Sequence, residues 1–154
     1  CETPVSLLDL SATIARHFGA ELDAADGVTD LPSILNRPTE PERIVFSEYH
    51  AAGAVSGAFM LRKGRWKLIH YVGFPDELFD LENDPEELES RAHDPDCRGI
   101  LQDLLAELRK ICDPIATDAQ AFEDQAALIE RHGGRDAALK LGAPGATPPP
   151  ATVP

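Results

Sequence analysis

The chain has 154 residues, with 14 Lys and Arg against 27 Asp and Glu for a formal charge of −13. That balance repels nucleic-acid backbones and anionic lipid surfaces, so neither nucleic acid nor membrane is an expected partner. Apolar residues at 43% supply material for a core and exclude wholesale disorder, while no run approaches the ~18 apolar residues of a membrane helix. Residue 1 is Cys and the one Met is Met60, so the sequence reads as processed, or as the back part of something longer.

The first predicted element is a helix from Ser6 to Phe18. Ser6 and Asp9 have capping-box spacing, Leu7, Leu10, Ile14 and Phe18 form one apolar stripe, and Gly19 ends the run. From there to Glu42 the prolines and Gly27 predict loop, with one helical turn at Leu31, Ile34 and Leu35 tucked onto the core. Ile44-Val45-Phe46 opens a strand that leads to Ser47-Glu48-Tyr49-His50. Small residues over 51–57 predict a loop that other groups can approach closely. Two further strands, 58–62 and 65–71, flank a Lys63-Gly64 hairpin turn. That register sets Leu61 opposite Trp66 and Phe59 opposite Leu68, with all four on one face. Glu77–Leu81 supplies another strand.

Asp84-Pro85 and Asp94-Pro95 each place a capping Asp before a Pro suited to the first helical position. The second opens a helix whose stripe is Ile100, Leu104, Leu108 and Ile111, widened by Leu101, Leu105 and Cys112. Thr117 with Gln120 predicts a cap for a further helix to Arg131, closed by His132-Gly133-Gly134. A short segment over 137–141 precedes a tail of five prolines, expected to be extended. Cys97 and Cys112 on one helix would stand ~22 Å apart, too far to bond, whereas Cys1 could in principle pair with either. Three reduced thiols in a cytoplasmic protein is the simpler expectation.

No constellation spells out a reaction. The five histidines lack ligand spacing, no Cys-x-x-Cys occurs, and Ser47 and Ser56 lack a Gly-x-Ser-x-Gly elbow. Gly53, Gly57 and Gly64 do not make a phosphate loop, and Asp80–Glu87 reads as a solvated acidic turn rather than a calcium loop. The best substrate-pocket candidates are Glu48, Tyr49 and His50, where a strand gives way to a small-residue loop. His50 has the titration range for proton transfer or for hydrogen-bonding an anion, although a histidine hydrogen-bonded at a strand end is the simpler expectation. Arg62, Lys63, Arg65 and Lys67 form the basic cluster of an acidic chain and read as solvated hairpin surface. His70, on the face of Trp66 and Leu68, reads as semi-buried structure. Trp66, Tyr49 and Tyr71 would suit a carbohydrate surface only if Trp66 were exposed, and it is expected in the core.

Three separated motifs carry a resemblance in order and spacing. Thr3–Leu10 with Asp26-Gly27 and Leu31–Leu35 resembles the segment after the catalytic core of sulfatases. Phe59–Ile69 resembles that family's C-terminal hairpin, and Glu77–Glu87 its late strand-turn-helix signature. The ending from Gln125 resembles a bacterial branch near phosphonate monoester hydrolases and choline-sulfatase-like enzymes. The resemblance implies an α+β fold: an antiparallel sheet of three or four strands packed with helices, the C-terminal subdomain of a larger α/β enzyme. Its expected parts are 1–42 leading from a catalytic core, 43–116 as sheet plus helix, 117–142 as helical extension and 143–154 as tail. It also implies hydrolysis of a small sulfate, phosphonate or phosphate ester by a homo-oligomer. A formylglycine nucleophile and a divalent cation, Ca²⁺ in particular, would do the chemistry. No residue here matches a family nucleophile or metal ligand, and Cys1-Glu2-Thr3-Pro4 misses the Cys-x-Pro-x-Arg spacing. The chain alone is therefore expected to be inactive, and a free-standing binding or assembly module is the alternative.

Overall fold

Ser6 and Asp9 close the predicted box at the start of α1 (Leu7–His17). The Ser6 hydroxyl accepts from Leu8 N–H, and the Asp9 carboxylate accepts from Ser6 N–H at 2.7 Å. The structure is a computed structural model describing residues 1–20, 29–50 and 54–141. Asp26-Gly27 and the Pro-rich tail lie outside these. The apolar stripe of α1 faces outward. Leu7, Leu10, Ile14 and Phe18 are exposed, up to 81% at Leu7, while Asp9 is fully buried. Arg43 explains this: its two terminal nitrogens each donate to Asp9 at 2.8 Å, and Nη1 also donates to the Pro4 carbonyl at 2.7 Å. Burial alone would raise the Asp9 pKa, but these hydrogen bonds, with those from Ser6 and Thr29, hold it below the usual carboxylate range. The Thr13 hydroxyl accepts Leu31 N–H and joins α1 to α2 (Leu31–Leu35), which inserts Ile34 and leaves Leu35 outside.

The strands β1 (Val45–Tyr49), β2 (Ala58–Lys63), β3 (Trp66–Tyr71) and β4 (Glu77–Asp80) form one antiparallel sheet in chain order. The hairpin register differs from expectation. Lys63 pairs with Trp66, Leu61 with Leu68 and Phe59 with His70, because the two-residue loop is Gly64-Arg65 rather than Lys63-Gly64. Gly64, at φ +58°, stands first in that loop, where a type II′ turn needs a positive φ. The partner of each residue moves by two positions. Two is the side-chain period of a strand, so the predicted facing of Phe59, Leu61, Trp66 and Leu68 survives.

One face of the sheet carries the core. Phe59, Leu61, Leu68 and Leu78 are completely buried against Leu104 and Leu108 of α3 (Arg98–Ile111), with Phe46, Trp66, Ile100, Leu101, Leu105 and Cys112 packed around them. Trp66 is half-buried under Arg65, whose guanidinium carbon lies 5.5 Å from its ring centroid. Ile111, assigned to the α3 stripe, is exposed at the helix end. Asp94 caps a short 3₁₀ turn, Pro95–Cys97, that leads into α3. Asp84 starts no helix: its carboxylate accepts from Leu88 and Glu89 N–H in a turn where Glu87 takes φ 58°. α4 (Pro114–Arg131) begins three residues before the predicted Thr117, because Asp113 already accepts the N–H groups of Ile115 and Ala116.

The chain divides into two units, Cys1–Asp118 and Ala119–Pro154. The second unit holds the remainder of α4 and α5 (Arg135–Leu141), separated as predicted by Gly133 and Gly134, both at positive φ.

Candidate functional site

The strand register places Tyr49, Ala58 and Tyr71 in one row across β1, β2 and β3, on the face opposite the α3 core. An alanine between two tyrosines leaves a trough, and an open groove of about 830 Å³ lies there. The turn after β3 builds one rim. Phe74 N–H donates to the Tyr71 carbonyl at 3.2 Å across that turn, with Gly73 at φ +79°, a type II geometry that folds Phe74 back toward Tyr71. On the far side, Ser90 Oγ accepts Leu78 N–H and Arg91 N–H donates to the Leu78 carbonyl, which pins the segment bearing Ser90 and His93 beside β4. The lining is predominantly apolar, with the carboxylates of Asp76 and Glu77 and no Lys or Arg among the described residues. Tyr71 Oη donates to Glu77 Oε2 at 2.9 Å, and burial together with that carboxylate pushes the phenol pKa up. Asp76 Oδ1 lies 2.7 Å from His70 Nδ1.

The three predicted pocket residues do not share a face. Tyr49 lines the groove. Glu48 lies opposite Phe59, so it shares the core face, and His50 follows it there. The His50 ring meets the Phe59 ring edge-on with centroids 5.3 Å apart, and its Nε2 is 3.8 Å from Glu48 Oε2. Gly57 makes this packing possible, since a Cβ there would stand 2.8 Å from His50 Cε1 and 2.9 Å from Phe59 Cε2. Its N–H donates to Asp118 Oδ1 at 2.5 Å, tying the loop before β2 to the second turn of α4. Glu48 also reaches Cys112 electrostatically: burial first, then Glu48 and Asp113, raise that thiol's pKa.

Three of the four side chains of the basic cluster are ion-paired, and Arg62 is exposed. Lys63 bonds Glu107, Lys67 bonds Glu87 at 2.5 Å, and Arg65 bridges Asp80 and Glu82. The Arg65 hydrogen bond, opposed by burial and helped by Asn83, keeps the Asp80 carboxyl below its ordinary range. Among the described residues, no three His, Cys, Asp or Glu side chains converge to hold a metal ion, so the divalent cation implied by the sulfatase resemblance finds no fitting ligand set there. Nor is any helix among them long and apolar enough to cross a membrane. Sequence reasoning missed Phe74, Asp76 and His93. Gly73-Phe74-Pro75 signalled a turn, but only the strand register brings that turn to the Tyr49–Ala58–Tyr71 row.

A four-stranded antiparallel meander closed by one helix, with its groove on the other face, defines an α+β module of the sulfatase type. Residues 11–113 match the family described as N-sulphoglucosamine sulphohydrolase, C-terminal. The choline-sulfatase of Rhizobium meliloti (strain 1021) is 36% identical over an alignment of 134 residues that covers 80% of this chain and 25% of that protein. The solved structure of a 2-O GAG sulfatase is similar over 75% of this chain and 26% of its own, at 27% identity and TM-score 0.57. The phosphonate monoester hydrolase of Silicibacter pomeroyi shares the fold over 70% of this chain and 25% of its own, at 22% identity and TM-score 0.55. The chain belongs to the sulfatase family, whose hydrolases act on sulfuric esters and are generally metal-dependent, and it corresponds to their C-terminal domain. It spans about a quarter of the length of the curated relative.

Proposed function

We propose that this chain forms one wall of the substrate site of a sulfatase-type hydrolase acting on a small sulfate ester, with phosphonate and phosphate esters as further substrates. The observation that carries this is the groove over the Tyr49–Ala58–Tyr71 row, on a fold whose family hydrolyses sulfuric esters. In this reading Tyr49 borders the substrate, while Glu48 and His50 hold the end of the edge strand from the other face. The described residues offer an ester neither a metal site nor an activated nucleophile, so their work is binding, orienting and excluding water. Formylglycine and a divalent cation, Ca²⁺ in this reading, belong to sequence outside these residues. The exposed α1 stripe supports burial against further protein surface, including that of a homo-oligomer, and reduced thiols suit the cytoplasm.

The test compares 4-nitrophenyl sulfate and phenylphosphonate hydrolysis by this chain alone and by a protein in which it follows a Cys/Ser-x-Pro-x-Arg core. The chain alone should show no metal-dependent turnover. In the longer protein, Ala58→Phe, which fills the trough, should lower kcat/KM by about tenfold or more with the fold intact. Turnover by the chain alone, or an unchanged kcat/KM in the Ala58→Phe protein, would overturn the reading.

A further inference from the structure

We propose that the groove is a docking site for a proline-rich segment of a partner protein, bound as a polyproline II helix laid across the strands. The spacing of its aromatic walls carries this. Tyr49, Ala58 and Tyr71 form one row across β1, β2 and β3, so the two tyrosines rise two strand spacings apart, roughly 9.4–9.8 Å. A polyproline II helix repeats every three residues, and each such turn advances about 9.3 Å. Residues one turn apart in such a helix therefore meet the two tyrosine walls in succession, with a pyrrolidine ring between them over the Ala58 floor. Phe74 and Pro75 add to the apolar lining on the Tyr71 side. Grooves walled by aromatic side chains are a recurrent receptor for this conformation, because the ligand is extended and rigid before it binds.

Other peptide conformations do not match this geometry. An α-helix is roughly 10–12 Å across with its side chains, wider than the gap between the two tyrosine stems. An added β-strand needs unpaired backbone at a sheet edge, whereas this groove lies on the face, where β2 is paired on both sides. The polar groups suit a ligand that accepts hydrogen bonds and scarcely donates them. Asp76 is paired with His70 Nδ1 at 2.7 Å and Glu77 with the Tyr71 hydroxyl at 2.9 Å, so both carboxylates already have a partner. Ser90 Oγ accepts from the N–H groups of Leu78 and Ala92, which leaves its O–H to donate, and Ser56 brings a second hydroxyl to the lining. Proline residues offer carbonyls and no N–H, which meets that demand. An acidic ligand would instead face two carboxylates with neither Lys nor Arg among the described lining residues. Docking here does not rest on the hydrolase reading: it is read as binding to the present chain, and that reading as turnover in a longer protein.

The experiment titrates the ¹⁵N-labelled full chain with acetyl-hexaproline amide, an uncharged peptide. The controls are a Gly-Ser hexapeptide with the same end groups and acetyl-diproline amide, which is shorter than one polyproline II turn. Saturable amide shifts are expected with hexaproline at Tyr49, Ala58, Tyr71 and Phe74, while the Trp66 indole on the opposite face stays still. The diproline should bind at least about tenfold more weakly, because it cannot reach both tyrosines. Tyr49→Ala should weaken hexaproline binding by about three- to tenfold, and Ala58→Phe, which fills the trough, should abolish it. Tyr49 is half exposed, so its truncation leaves the core untouched, and an unchanged amide spectrum on the α3 face verifies the fold of both variants. Shifts that never saturate, equal binding of the Gly-Ser peptide, or unaltered affinity in Tyr49→Ala would each overturn the proposal.

Discussion

Truncating Asp9 to Ala probes the clasp that holds α1 to the segment entering the sheet. The carboxylate is fully buried and accepts four hydrogen bonds: two from Arg43 at 2.8 Å, one from Ser6 N–H at 2.7 Å and one from Thr29 N–H at 3.1 Å. Removing it leaves a guanidinium only 16% exposed, along with two backbone donors. A charge-assisted bond is worth about 1.5–3 kcal/mol and an orphaned buried donor costs about 1–3, and these terms overlap because the groups relax together. Breaking one partner of a buried pair sets the total at about 3–5 kcal/mol, part of it the lost capping box. At about 2–4 °C per kcal/mol for a chain of this size, Tm should fall by about 6–20 °C. Urea unfolding followed by Trp66 fluorescence measures the loss directly. The Asp9→Leu/Arg43→Met pair, which removes both charges, should recover most of it. The contribution also has a pH signature. The Asp9 pKa is lowered by folding, so its stabilisation is complete above the unfolded value of about 3.9 and fades as pH falls through the lower folded one. Asp9→Ala should lack that acid limb. A loss under about 1 kcal/mol, or a double variant no better than Asp9→Ala, would refute the account of α1 as polar-clasped.

The core and the thiols give two further tests. Leu104→Ala, at the centre of the α3 contact, should cost about 2–5 kcal/mol, whereas Ile111→Ala, in the same periodic stripe but exposed, should stay within about 0.5 kcal/mol of the parent in urea unfolding. Equal losses would show that α3 buries its whole stripe. With a disulfide-exchange reagent at pH 8, Cys1 should react at once, half-buried Cys112 more slowly because burial, Glu48 and Asp113 raise its pKa, and buried Cys97 only on unfolding. Rapid reaction of all three thiols would contradict the burial of Cys97.

Where local rules and packing agreed, the sequence was directly legible. The Ser6–Asp9 capping box, the hairpin strands, the glycines after Arg131 and the Leu104–Leu108 seam all arise from patterns within a few residues. Legibility failed where a distant residue changed the balance. The α1 periodicity locates an apolar stripe but not what covers it: Arg43, 34 positions after Asp9, draws the polar side inward and leaves the leucines outside. Asp84 has the signature of a helix cap, but its acceptor oxygens are taken by Leu88 and Glu89 in a turn. The candidate site shows the same division. Glu48, Tyr49 and His50 are adjacent in the chain, and the two-residue period of a strand sends Tyr49 to one face and its neighbours to the other.

The acidic composition, the antiparallel sheet with its helix and membership of the sulfatase family were all readable from 154 residues, because they rest on periodicity and on three motifs in fixed order. That Ala58 lies between two tyrosines, and that a groove opens over that row, came only from the strand register. The pairing of Tyr49 with Ala58 and of Ala58 with Tyr71 spans loops between strands, and no local propensity encodes contacts at that separation.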